Sequence, residues 1–238
     1  MKEKIMNLQL LQNFPDLTDW DNLKPWINTQ RQKIAATDFT KEKFELAVVS
    51  LPTMPNDMLG AYQSADWRRF AAGVYLADLA CYTNPADQAD FPRMLSVTAA
   101  FPQGFRLYMA QMANGHNLPI GYTGWYPISD NVFDVLHNNP QQFTHRGMIT
   151  PLKQFEENKS KLYLFNYSVV EPLIGSDTSS QLVKYFAQSL ADFPNAGMAA
   201  VTVSENGQRV AKKFGMVYTG DMTHDGEAEG VYCTPLKL

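Results

Sequence analysis

The spacing of apolar residues changes character along the chain, and each change marks an element. After Ser64, the residues Trp67, Phe70, Ala71, Val74, Ala77, Leu79 and Cys81 recur at close to helical spacing. That period gives a helix with one apolar face, and Ser64 is well chosen to cap it. Upstream, Phe14 to Trp26 reads as irregular, with Pro15, Pro25 and several Asp and Asn residues. Thr40 is placed to cap a short helix over Lys41 to Val49, although Ala47, Val48 and Val49 suit a strand equally. Pro52 and Pro55 then break the chain. Tyr82 to Pro92 is polar, carries two prolines, and reads as a long loop or boundary. The organisation expected is a mainly helical part over 1–92, which includes or precedes the first core elements, and a domain over 93–238.

Beyond that boundary the period shortens. Phe105 to Met112 and Leu118 to Ile128 read as two strands joined by the turn formers Ala113 to Asn117. Ser129 is placed to start a short helix with Val132, Phe133 and Leu136 inward, inside a polar stretch that runs to Lys161. Lys161 to Val170 is the clearest strand, apolar on both faces near its start, as a central strand is. Glu171-Pro172 ends it. A loop through Ile174 to Thr178 leads to a helix striped by Leu182, Val183, Phe186, Ala187 and Leu190. Pro194-Asn195 turns into a strand over Gly197 to Val203. Ser204 caps a short helix with Val210, Ala211 and Phe214 inward, and Gly215 stops it. Val217 to Thr219 and Gly230 to Thr234 are the last two strands, with the acidic run Asp221 to Glu229 read as a solvated loop.

Composition narrows the function classes. The 238 residues are 45% hydrophobic, enough for a core, and only 18% charged. With 24 acidic against 20 basic residues and no Lys/Arg run, no nucleic-acid partner is expected. No apolar run approaches the roughly 20 residues of a membrane span, so no membrane partner is expected either. Two distant cysteines, Cys81 and Cys233, read as free thiols, and with no signal-peptide pattern the chain is read as cytoplasmic. The four histidines are scattered, without the spacing of a zinc site, and no metal is expected. Elbow and phosphate-loop nucleophile motifs are absent.

The order hairpin, central strand, Gly/Ser loop, helix, strand, short helix and strand resembles the GNAT superfamily of acyl-CoA N-acyltransferases, over about Phe101 to Leu238. Three segments carry the resemblance. Val169 to Leu182 (VVEPLIGSDTSSQL) stands where the family binds pyrophosphate. It replaces the Arg/Gln-x-x-Gly-x-Gly/Ala pattern with Ile174 at the Arg/Gln position and Asp177 at the first glycine. Ser204 to Met216 (SENGQRVAKKFGM) looks like the Asn-x-x-Ser-x-x-Val-x-x-Lys-Leu-Gly-Phe segment, with Val210, Lys213, Phe214, Gly215 and Met216 in register. Asn114-Gly115 and Ile120-Gly121 resemble the family's turn and Ile/Val-Gly pair.

The resemblance implies an α/β (α+β) fold: a mixed, mostly antiparallel sheet flanked by helices, with a helical N-terminal part. It implies acetyl-CoA, or another acyl-CoA, as cofactor, held by Val169, Val170, Gly175, Ser176, Thr178, Ser179 and Ser180, with Ser204, Val210 and Phe214 beside the pantetheine arm. The reaction implied is direct N-acetylation of a small amine or a peptide amine. Where the family often has a tyrosine acid, this chain has Ala211. The candidate base is Glu171. The candidate acids are Tyr218, Tyr167 and Tyr185. The departures at Asp177 and Ala211 leave open a GNAT-like binding or regulatory module without catalysis. The N-terminal part and the 129–161 stretch are expected to cover the acceptor side or to form a homodimer contact.

Overall fold

In the structure, a computed structural model, residues 7–16, 18, 20–51, 63–152, 161–193 and 196–235 are described. The Pro52/Pro55 break and the Pro194-Asn195 turn lie outside them. Among the described residues, seven strands form one sheet in the order β1-β2-β3-β4-β5-β7-β6. They are β1 (Phe44–Val49), β2 (Phe105–Met112), β3 (Asn117–Ile128), β4 (Lys161–Val169), β5 (Met198–Thr202), β6 (Val217–His224) and β7 (Glu227–Cys233). The helices given by the described residues include α1 (Trp20–Ala36), α2 (Ala65–Cys81), α3 (Phe91–Ala100), α4 (Asp130–Asn138), α5 (Asp177–Ser189) and α6 (Glu205–Lys213). The sheet is mixed and mostly antiparallel, and helices flank it, as the resemblance implies.

The described chain falls into two compact units. In the first, residues 1–123 with 168–182, β1 pairs antiparallel with β2 from Phe44↔Met112 to Val49↔Leu107. The helix expected at Lys41 to Val49 is therefore corrected to its strand alternative. Val48 and Val49 are β-branched and buried, and they gain a partner strand that no local pattern reveals. Ser64 caps α2 as expected, its hydroxyl accepting the Trp67 amide at 3.2 Å. The Trp67 indole donates to the Thr98 carbonyl on α3 at 3.1 Å. Buried Asp78 accepts from the Tyr122 hydroxyl at 2.6 Å and from the Ala89 amide at 2.9 Å, tying the 82–90 loop to the core.

Two further readings in this unit are corrected. The irregular stretch ends at Trp20, where α1 begins and runs on through the exposed Pro25. The polar break at 82–92 contains the start of α3. Asp90 caps it by accepting the Arg93 amide at 2.8 Å, with Pro92 in the first turn where a missing N–H costs little.

The second unit comprises residues 124–167 and 183–238. The start of β4 pairs parallel with β5, and β7 joins β5 antiparallel to β6. Ser129 caps α4, accepting from Val132 at 3.2 Å, and Phe133 and Leu136 are buried as expected. The last two strands are longer than expected. The turn is only Asp225-Gly226, so the residues 221–224 and 227–229 are strand, not solvated loop. Asp-Gly is a turn signal in its own right, and Asp225 takes φ +50° as such a turn requires. Both thiols are unpaired. Burial pushes the Cys81 thiol well above its ordinary pKa and Cys233 up to about 12.

Candidate functional site

The segment after β4 builds a small cradle of backbone donors inside the first unit. β4 ends at Val169, and Glu171–Leu173 makes one 3₁₀ turn. Gly175 follows at φ +80°, a left-handed conformation that admits glycine without strain, and a Cβ there would meet nothing within 4 Å. Ser176 then caps α5. Its hydroxyl accepts the Ser179 amide at 3.2 Å and donates to the Leu173 carbonyl at 2.7 Å. Its carbonyl takes the Ser180 amide at 3.1 Å and the Ser179 hydroxyl at 2.9 Å. Among the described residues no acceptor takes the Asp177 and Thr178 amides, so two first-turn donors and the positive helix end face outward.

The expected cofactor residues divide accordingly. Gly175 and Ser176 shape the cradle and Thr178 supplies a donor. Ser179 is buried and spends both its amide and its hydroxyl on Ser176. The Ser180 amide closes the first helical hydrogen bond. Val169 and Val170 are buried at the strand end, and the Val170 amide already donates to the Ile120 carbonyl at 2.9 Å. The Val170 amide is thus already engaged within the unit. What sequence reasoning missed is the capping role of Ser176 and the donor role of Asp177. Ser-x-x-Ser ahead of an amphipathic helix is the signal that finds both. The Asp177 carboxylate stands in the first turn and is exposed, so the donors come with a negative charge beside them. Glu171 is also exposed, on the turn that leads into the cradle.

Within the second unit, the parallel pairing of β4 with β5 runs from Leu162↔Met198 to Leu164↔Ala200. Among the described residues it does not extend to Phe165–Tyr167 and Val201–Thr202, although both strands continue. Phe165, Asn166 and Tyr167 are half-buried there, where Leu162 to Leu164 are buried.

α6 packs against β5: a Cβ on Gly207 would meet Thr202 Cβ at 3.4 Å. The Ser204 hydroxyl is spent as the cap of α6, accepting the Gly207 amide at 3.2 Å. Val210 is half-buried, Ala211 is buried, and Phe214 stacks edge-on to Phe186 at 5.3 Å. Tyr218 is on strand β6 at the sheet edge, 54% exposed. A hydrogen bond to the Asp221 carboxylate raises its pKa above the ordinary phenol value. Tyr185 lies on α5 and is half-buried, in the same unit.

No family model matches the chain, and no curated protein matches it in sequence. Solved structures do. The NatC complex bound to Gag peptide and CoA matches at 12% identity and TM-score 0.51, over 81% of this chain and 99% of that one. The loading GNATL domain of CurA from Lyngbya majuscula matches at 11% and TM-score 0.52, over 81% and 97%. The GphF GNAT-like decarboxylase in complex with isobutyryl-CoA matches at 11% and TM-score 0.50, over 81% and 100%. At identities this low the likeness establishes the fold: this chain has the GNAT fold.

Proposed function

We propose that the chain is an acyl-CoA-dependent N-acyltransferase, with acetyl-CoA as donor and a small amine or a peptide amine as acceptor. The observation that carries the reading is the Ser176-capped start of α5, whose Asp177 and Thr178 amides are presented directly after the end of β4. Backbone donors at a helix N-terminus suit a pyrophosphate. The CoA-bound and isobutyryl-CoA-bound structures of the same fold support that ligand.

In the reaction proposed, the amine nitrogen attacks the thioester carbonyl and the C–S bond breaks. The amine proton passes to Glu171, directly or through water, and the departing thiolate takes a proton from an acid. Tyr218 is the acid to test first. Its raised pKa keeps the phenol protonated throughout the neutral range. A binding module without catalysis is the second reading, favoured by Ala211 where the resemblance places an acid.

Calorimetry with acetyl-CoA is expected to show one site, and no binding at millimolar ligand overturns the acyltransferase reading. Thiol release with a panel of amines then separates enzyme from binder. In an active enzyme, Glu171→Gln and Tyr218→Phe are each expected to lower kcat by about 10²-fold with acetyl-CoA affinity intact, the usual scale of one proton-transfer group. Unchanged rates in both variants remove them from the mechanism.

Asp177 makes a separate prediction. Unit charges about 4 Å apart repel by about 1 kcal/mol even in bulk water. Asp177→Asn is therefore expected to tighten CoA about fivefold, less at high salt. Equal affinities for wild type and variant at low salt would show that the pyrophosphate does not sit at this helix end.

A further inference from the structure

Three side chains from two distant segments meet in the second unit. His145 lies in the loop after α4, and His224 and Asp225 lie at the tip of the β6–β7 hairpin. The His145 and His224 rings meet edge-on with centroids 4.3 Å apart. The Asp225 Oδ1 atom is 3.9 Å from His145 Nε2 and 3.9 Å from His224 Nδ1. One ligand atom from each residue falls within 4.8 Å of the others.

We propose that His145, His224 and Asp225 form a binding site for a divalent transition-metal ion of the zinc type. Two imidazoles and one carboxylate are a borderline-soft donor set that selects zinc, cobalt or nickel over magnesium or calcium. Zinc bonds of about 2.0–2.1 Å to nitrogen and oxygen place tetrahedral ligand atoms roughly 3.3 Å apart. Contraction from 3.9 Å is a small movement for the exposed His145 ring and for Asp225 on a turn. Three protein ligands leave a fourth position for water or another ligand.

The surrounding charge permits a cation. Arg146, adjacent to His145, is neutralised by Glu229, with Nη2 to Oε1 at 3.0 Å. Asp225 itself and the exposed Glu227 add negative charge. One contact opposes the metal. His145 Nδ1 accepts the Gly147 amide at 2.9 Å, which places the ring proton on Nε2, the atom that faces Asp225. A metal at Nε2 takes the neutral imidazole with its proton moved to Nδ1, which releases the Gly147 amide. Gly147 is exposed, so water replaces the bond. One hydrogen bond exchanged for one to water is a small loss beside the coordination of an ion by three ligands.

The site joins the 143–149 loop to the hairpin, where the Thr223 amide already donates to the Phe143 carbonyl at 3.1 Å. An ion there adds a pin between two segments already joined by that hydrogen bond and by the Arg146–Glu229 ion pair. The inference does not depend on the acyltransferase reading.

Titration of the full chain with zinc, by calorimetry, and with cobalt, by its visible spectrum, tests the proposal. The expected result is one ion per chain and a cobalt spectrum of low-coordinate nitrogen/oxygen ligation. His145→Ala and His224→Ala are each expected to weaken zinc by more than the roughly 10–100-fold that loss of an outer-shell partner causes. Asp225→Asn retains the turn and is expected to weaken zinc at least about tenfold. His116→Ala and His137→Ala are expected to change nothing. Absence of one-to-one binding, binding that survives loss of His224 in a chain of unchanged circular dichroism, or binding lost with His116 or His137, each overturns the site.

Discussion

Arg146→Met is expected to cost about 3–5 kcal/mol of stability, the scale for removing one partner of a buried ion pair. Arg146 and Glu229 have side chains only 16% and 8% exposed and meet at 3.0 Å. The guanidinium helps offset the carboxylate's lost hydration. Without it the Glu229 carboxylate must stay buried against its solvation, take up a proton, or drag the β7 strand outward. In a chain of this size each kcal/mol moves Tm by about 2–4 °C, so a melt is expected to fall by about 10 °C. The double variant Arg146→Met with Glu229→Leu is expected to recover most of that loss, because two apolar groups of similar shape need no counter-charge. The alternative is a solvent-screened pair, worth about 1 kcal/mol or less. A single-variant melt within 2 °C of wild type would establish that alternative. Arg146 is also the neighbour of His145, so its loss is expected to loosen the loop that carries one zinc ligand, and zinc affinity falls with it.

This pair shows what the sequence could and could not express. Local rules act within a few residues, and where they suffice the elements were legible: Ser64, Ser129 and Ser204 each cap the helix that the apolar spacing indicates. Gly215 takes φ +75° just past α6, as a helix stop does. Reading failed where one local signal hid another. Pro25 concealed α1, and the prolines of the 82–92 stretch concealed the Asp90 cap. The acidic composition of 221–229 concealed the Asp-Gly turn and the strands on either side of it. Reading failed in principle where the partner is remote. The fate of Lys41 to Val49 was decided by β2, more than 50 residues away. His145 and His224 stand 79 positions apart, so no spacing rule brings them together. The candidate cradle was legible as a run of small residues, because a capped helix start is a local object. Its limits were not: the Val170 amide is spent on Ile120, and only the sheet says so.

Gly121→Ala is expected to be the most damaging single-methyl change in the first unit, and the geometry explains why. A Cβ on Gly121 would lie 2.3 Å from the Ser168 carbonyl oxygen, 3.1 Å from Val169 Cα and 3.2 Å from the Ser168 carbonyl carbon. All three are backbone atoms, so no side-chain rotation relieves the clash, and β3 and β4 must part. Overpacking of this kind costs about 3 kcal/mol, at the upper end of its usual range. The site is coupled to the cradle by short steps. The Ile120 carbonyl, next to Gly121, takes the Val170 amide at 2.9 Å and also lies 3.9 Å from the Cys81 thiol. One residue beyond Val170 begins the Glu171–Leu173 turn, whose last carbonyl holds the Ser176 hydroxyl. Displacing the end of β4 therefore displaces the cap and the Asp177 and Thr178 donors. Gly121→Ala is expected to weaken CoA at temperatures where it remains folded, as well as to lower Tm. Gly207→Ala is the control. There the added Cβ meets Thr202 Cβ at an ordinary 3.4 Å, inside helix α6, where alanine exceeds glycine by about 0.5–1 kcal/mol. The two substitutions add the same methyl group and are expected to move Tm in opposite directions. A Gly121→Ala melt at or above that of wild type would show that β3 and β4 do not approach as closely as the Gly121 contacts require, and the coupling to the cradle would fall with it.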